Sequence, residues 1–290
     1  MSTTTSHRRA QPLGRVLRRV LVYGVVIIGC IPTLLPLVWL VRSAVMSDGQ
    51  IFISPPEWVP DPWQFSNFID LFDAQPFGRY VINSAILVII NIVGTVISCS
   101  LAAFSFARTQ WRGRNLVFVL TLSTLMLPYA VTLIPTFLMW RNLGAIDTYL
   151  PLTVPSFFAA GANAGFYIFL MRQFFLSIPY ELDEAAYVDG ASPWRVYWQI
   201  VLPLAKPAIS VVAIFTFVQT WNDFLGPLIY LNSQEKFTVA VGLASFAGAY
   251  TGQWSLLMAA ATLTLIPVLL VFLFGQRYFV QGVAFTGGKA

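Results

Sequence analysis

Few side chains in this sequence can do chemistry. The one histidine, His7, lies in a polar N-terminal stretch, and the two cysteines, Cys30 and Cys99, sit inside apolar runs. That inventory offers no metal-histidine site, no serine-histidine pair, no thiolate cluster and no disulfide framework. Two acidic sets stand out. Asp223 is the single carboxylate within a long apolar run, with Gln219 and Asn222 before it and Phe224, Gly226 and Pro227 after it. An acid at such a place can brace a broken helix beside a polar solute, or it can take up a proton. No histidine, lysine or second acid accompanies it, and that favours the brace. The other set is Glu184 and Asp189, in a polar stretch between apolar runs. There they serve either a solvated interfacial hairpin or a docking face for a soluble partner.

A membrane has to position these groups. Of 290 residues, 57% are hydrophobic and only 10% are charged, against roughly 25% charged in an ordinary soluble domain. Mean hydropathy is +0.73. A bilayer core about 30 Å thick takes about 20 apolar residues per helix. The sequence holds six such runs, about 17–41, 80–107, 115–139, 149–171, 207–230 and 256–279. The expected fold is therefore an all-α polytopic membrane protein with six transmembrane helices, a tail at 1–16, a membrane domain at 17–279 and a tail at 280–290. The first run has a competing reading, because the arginines before it and Ile27-Ile28-Gly29-Cys30 look like a secretion signal with a lipid-attachment cysteine. Apolar sequence continuing to Val41 favours a full crossing.

Charge asymmetry orients the spans. Thirteen of the 17 lysines and arginines fall on the side of the N-terminal tail, with Arg108, Arg172 and Arg277, and four fall opposite. Both termini are thus expected in the cytoplasm. The net charge of +5 does not read as a nucleic-acid face, since the basic residues are sparse and lie between apolar runs. The outer stretch 43–79 contains Pro55-Pro56, Pro60, Pro62, Trp58 and Trp63. It reads as an interfacial cap or as a docking surface for an extracytoplasmic partner.

The stretch from Arg172 to Lys206 is the most polar and patterned of the cytoplasmic side. Ser177-Ile178-Pro179 starts a helix, acids at 181, 183 and 184 suit its positive end, and Gly190 stops it. Ser192 and Pro193 start a second helix, on which Trp194, Tyr197, Trp198 and Val201 recur at the spacing of one apolar face before Pro203 and Pro207. This predicts a hairpin of two short helices over 178–202, with Glu184 and Asp189 outward.

Glu184-Ala185-Ala186-Tyr187-Val188-Asp189-Gly190-Ala191, with Ile200-Val201-Leu202-Pro203 following nine residues after the glycine, resembles the EAA signature of the inner-membrane permease subunits of binding-protein-dependent ABC importers. Trp221-Asn222-Asp223-Phe224-Leu225-Gly226-Pro227-Leu228 and Gln276-Arg277-Tyr278-Phe279-Val280-Gln281-Gly282 are similar to the carbohydrate-uptake branch, on the side of the smaller maltose-transporter permease. Tyr197 stands where the family usually has phenylalanine, and Gly226 where relatives are often bulky. The resemblance implies a coupling hairpin seated in a cleft of a cytoplasmic ATPase, with Glu184, Ala185, Ala186, Asp189, Gly190, Ala191, Ile200, Leu202 and Pro203 as its signature positions. It implies as partners a second homologous permease, two ATPase subunits and an extracytoplasmic solute-binding protein, in a prokaryotic plasma membrane. It also implies that 282–290 reaches between the ATPases. ATP and magnesium belong to those subunits, and no cofactor is expected here. The one Gly-Lys pair, Gly288-Lys289, lacks the glycine and hydroxyl residue of a phosphate loop.

Solute passage needs polar groups facing a bundle interior. Ser84, Asn91, Thr95 and Ser98 share one face of the second run, and Thr121, Thr124, Pro128, Thr132 and Pro135 one face of the third. Such small polar stripes also serve plain helix packing. Asn163, between Gly161 and Gly165, marks unwinding or close packing in the fourth run. Ser84, Asn91, Asn163, Asn222, Asp223 and Phe224 are the candidate pathway residues. Importing a sugar or polyol is the leading reading. A non-sugar solute such as glycerol phosphate, a proton-coupled transporter using Asp223 and an intramembrane enzyme are the alternatives, the last disfavoured by the absence of a catalytic set.

Overall fold

Apolar runs without internal breakers give the longest helices, and prolines with the residues before them decide where the others bend. The computed structural model describes residues 13–161, 163–249 and 253–287, with side chains for 18–161, 163–246 and 253–276. Helix α1 is Leu13–Ala44, α4 is Phe77–Arg108 and α15 is Trp254–Gly287. Two short helices, α2 (Asp48–Ile51) and α3 (Asn67–Ala74), lie between α1 and α4. Helices α5 (Arg114–Ser123, extended by a tight turn Thr124–Met126) and α6 (Tyr129–Asn142) meet at 98°. Pro128 causes that bend, because its ring forces Leu127 into an extended conformation at ψ 116°. Then follow α7 (Leu150–Phe157), α8 (Ala164–Ser177), α9 (Glu181–Val188) and α10 (Pro193–Val196). A π-helical turn, Tyr197–Val201, carries α10 into α11 (Leu202–Leu204). Last come α12 (Lys206–Trp221), α13 (Leu225–Tyr230) and α14 (Val239–Ala249). The described residues contain no strand.

Three described helices are long and apolar enough to cross a bilayer, or five if each of two bent pairs counts as one. The expected fourth span is broken: α7 ends at Phe157, Ala159 takes a positive φ of 50°, and α8 begins at Ala164. The fifth is broken at 222–224, between α12 and α13. Helix α14 lies between the expected fifth and sixth runs, and the backbone of α15 stays helical to Gly287, past the expected end at 279. Residues 1–12 and 288–290 of the two expected tails lie outside the described residues.

Helix α4 is the centre of the packing. It lies against α7, α8, α12 and α14, while α1 packs on α15. Around its Arg108 end, Phe104 and Cys99 pack with Met171 and Phe175 of α8 and with Val196, Tyr197 and Val201. Around its other end, Tyr80 and Val88 pack with Trp221, Val239 and Phe246.

The stretch 43–79 packs its short helices α2 and α3 chiefly on α15 and is tied to the end of α1. Asn67 Nδ2 donates to the carbonyls of Ala44 and Met46 at 3.0 and 2.9 Å, and Asp48 Oδ1 accepts from the Ser255 amide at 2.7 Å. The Arg42 guanidinium lies over the Trp39 ring and donates to the Glu57 carbonyl at 2.7 Å.

Candidate functional site

The polar stretch after α8 folds as two helical arms around one glycine. The Gly190 amide donates to the Tyr187 carbonyl at 3.0 Å and the Ala191 amide to the Ala186 carbonyl at 2.9 Å, the paired bonds of a Schellman turn. Gly190 has φ +79°, where a side chain is strained. Ser192 Oγ accepts from the Arg195 amide at 3.3 Å and caps the second arm, with Pro193 in its first turn. Glu184, Ala185 and Asp189 are exposed, while Ala186, Ala191, Ile200 and Leu202 pack on the buried cluster of α4 and α8, and Pro203 is exposed.

The aromatic stripe of the second arm holds together, with ring centroids 5.6 Å apart for Trp194 and Tyr197, 6.0 Å for Trp194 and Trp198, and 5.1 Å for Tyr197 and Trp198. Tyr197, Val196 and Val201 are buried, whereas Trp194 is 59% and Trp198 44% exposed. The arm runs through Pro203 in α11 and ends at Leu204, and α12 opens at Lys206 with Pro207 in its first turn, at 77° to the arm.

A second group gathers where helices break. Gln219 Oε1, near the end of α12, accepts from Asn163 Nδ2 at 3.0 Å and from the Tyr167 hydroxyl at 3.1 Å, joining α12 to the start of α8. Asp223 Oδ1 accepts from the Gly226 amide at 3.1 Å and so closes the first turn of α13. A Cβ at Gly226 would lie 2.5 Å from Asp223 Oδ2 and 3.1 Å from Leu152, so glycine is what lets the carboxylate reach back. Asn222 donates to its own helix at Val218, and Asn222 and Phe224 are exposed. The breaks at 158–163 and 222–224 therefore hold two polar groups, Asn163 and Tyr167 on Gln219, and Asp223 on the first turn of α13.

Ser84 and Asn91 are placed otherwise. Ser84 Oγ is buried and accepts from the Val239 amide at 2.9 Å, and Asn91 is buried within the bundle. Ser98 Oγ donates to the Ser156 carbonyl at 2.6 Å. Ser84 and Ser98 of that stripe thus each bond the backbone of a neighbouring element.

A family model described as a binding-protein-dependent transport system inner membrane component matches residues 94–285. The chain belongs to this family. The diacetylchitobiose uptake system permease protein of Streptomyces coelicolor is 32% identical over 266 residues, 90% of this chain and 86% of that protein. The sn-glycerol-3-phosphate transport system permease protein of Yersinia pestis is 37% identical over 266 residues, 89% of this chain and 92% of its own. A solved bacterial ABC transporter involved in the import of alginate matches in fold with TM-score 0.77 at 24% identity, over 95% of this chain and 100% of that one.

In this inner membrane component, sequence reasoning missed the group that ties the acidic arm down. Asp183 is fully buried, and its Oδ2 stands 3.2 Å from Arg108 Nη1. Arg108 Nη2 donates to the carbonyls of Phe175 and Ile178 at 2.6 and 2.7 Å, at the end of α8. Burial pushes the Asp183 carboxyl above its ordinary range, and Arg108 beside it pulls the other way. In the sequence Asp183 is one acid among three in a first turn, and only its i, i+3 relation to Ala186, which packs inward, hinted at burial.

Proposed function

We propose that this chain is the permease half of an ATP-driven importer of a sugar or related polyol in a prokaryotic plasma membrane. In this reading six spans cross the bilayer, with α7 and α8 forming the fourth and α12 and α13 the fifth, and both termini are cytoplasmic. A second homologous permease completes the pathway, two cytoplasmic ATPase subunits hold the 181–204 helix pair, and an extracytoplasmic binding protein delivers solute. ATP and magnesium stay on the ATPases. ATP-driven closure of those subunits draws the pair inward and reorients the spans. The observation that carries this reading is the helix pair itself: one face is packed into the bundle, and Glu184 and Asp189 are left exposed beside a fixed glycine turn.

The charge of the helix breaks supports a neutral solute. The described side chains there are Tyr129, Asn163, Tyr167, Gln219, Asn222 and Asp223, with no lysine or arginine among them. A phosphate monoester calls for a cation or a cluster of amide donors. The likeness to glycerol phosphate permeases favours the second reading, and the same experiment decides between them. The assembled complex, reconstituted in proteoliposomes with its binding protein, is expected to accumulate a labelled disaccharide on ATP, insensitive to a proton uncoupler, and to leave glycerol 3-phosphate outside. Glu184→Lys is expected to insert normally yet lose the ATPase in a pull-down and lose uptake. Unchanged ATPase capture by that variant overturns the docking assignment.

A further inference from the structure

Helix α4 is the longest helix described through its whole length with side chains and the one long helix among them without an internal proline. Its 32 residues span about 48 Å at 1.5 Å per residue, enough to run from one membrane face to the other. Both ends are tied. At the inner end it grips each arm of the helix pair separately: Arg108 pairs with buried Asp183 of α9, and Ser100 Oγ lies 2.8 Å from the Tyr197 hydroxyl in the second arm. The same guanidinium holds the final carbonyls of α8, so one side chain joins α4, α8 and α9. At the outer end Asn83 Nδ2 donates to the carbonyls of Glu235 and Phe237 at 2.9 and 3.0 Å, and Ser84 Oγ takes the Val239 amide at 2.9 Å.

The Arg108–Asp183 link is unlike a surface ion pair. Neither Asp183 oxygen has a hydrogen bond of good geometry, so the guanidinium is its charge compensation among the described residues. A buried carboxylate that loses its only counter-charge is strongly disfavoured, and the arm cannot swing away from α4 without exposing or stranding it. A freely hinged hairpin has no need of such a joint.

We propose that α4 is a rigid strut that carries displacement of the 181–204 pair to the outer loop 231–239, and that Arg108 and Asp183 are the positioning pair that fixes the first arm to it. This rests on the transport reading above. Asp183 faces the bundle while Glu184 faces outward, so losing the joint leaves ATPase docking intact and uncouples it from the spans. Purified complexes with Asp183→Asn are expected to retain their ATPase subunits while solute moved per ATP hydrolysed falls by about two- to thirtyfold, the span of effects when one link of a coupling network is removed. Asp183→Glu is expected to recover most of that ratio, which a loss of packing alone would not allow.

Spin labels at Gln110 and Glu181, both exposed, test the joint with the native pair in place. Their separation is expected to stay the same between the nucleotide-free and the ATP-trapped complex. An unchanged ratio in Asp183→Asn, or a label separation that shifts with nucleotide, overturns the strut. Absence of ATP-driven uptake by the unmodified complex would instead overturn the transport reading.

Discussion

At the scale of single residues, the acids of this chain differ by their donors. Asp223 is half-buried and spends its carboxylate on the Gly226 amide, which caps a break. Asparagine keeps a carbonyl at that point, so Asp223→Asn is expected to leave ATP-driven vesicle uptake near the unmodified level, with or without a proton gradient. Gly226→Val instead drives a branched side chain into that carboxylate and Leu152, an overpacking of about 1–3 kcal/mol. It is expected to lower the complex's melting temperature and its uptake together. Asp147, in the turn before α7, accepts from Lys236 Nζ at 2.8 Å, from the Ser233 hydroxyl and from the amides of Ser233 and Asn232. The lysine first and then these donors hold its carboxyl well below the usual range. Such a lowered group stabilises fully above the unfolded value of about 4 and loses its effect only as pH falls through the depressed folded value. Asp147→Asn is therefore expected to lower the melting temperature equally at about pH 7 and about pH 5. A deficit that disappears at the lower pH would contradict the clasp.

Among elements, the helix pair and the broken spans behave as opposites. The pair is locked by a turn whose glycine sits in open space at φ +79°, so conformation, not room, selects the residue there. Alanine pays about 1–2 kcal/mol for the left-handed conformation, and asparagine tolerates it better. ATPase affinity measured on assembled complexes is expected to fall in the order Gly190, Gly190→Asn, Gly190→Ala, with the alanine variant down about five- to thirtyfold. Equal affinity for all three would mean that the turn does not present the acids. The Schellman turn and the Ser192 cap were legible from Gly190 and from Ser192-Pro193, since such signals act within a few residues. The π-helical turn at 197–201 was not legible, because such a turn forms when packing against α4 favours it, and local spacing carries no sign of that.

For the whole molecule, orientation is the property most open to a direct test. With thirteen basic residues on one side and four on the other, a cysteine at Gln110 is expected to react with an impermeant maleimide only from the cytoplasm, and one at Glu235 only from outside. Labelling of both from one side would overturn the topology. Sequence by itself determined that this is a helical membrane protein, where the longest apolar runs lie, and the family its acidic motif marks. Those properties depend on local composition, on transfer of side chains into hydrocarbon and on short-range turn chemistry. Tertiary structure alone decided that Ser84 joins α4 to Val239, that Asn163 meets Gln219 across 56 positions, and that Asp183 turns inward to Arg108 while Glu184 beside it turns out. Each depends on which backbone arrives opposite a polar group, and that is set by the packing of distant helices, where a lysine-rich or acidic stretch reads the same whether its charges end in water or in a buried pair.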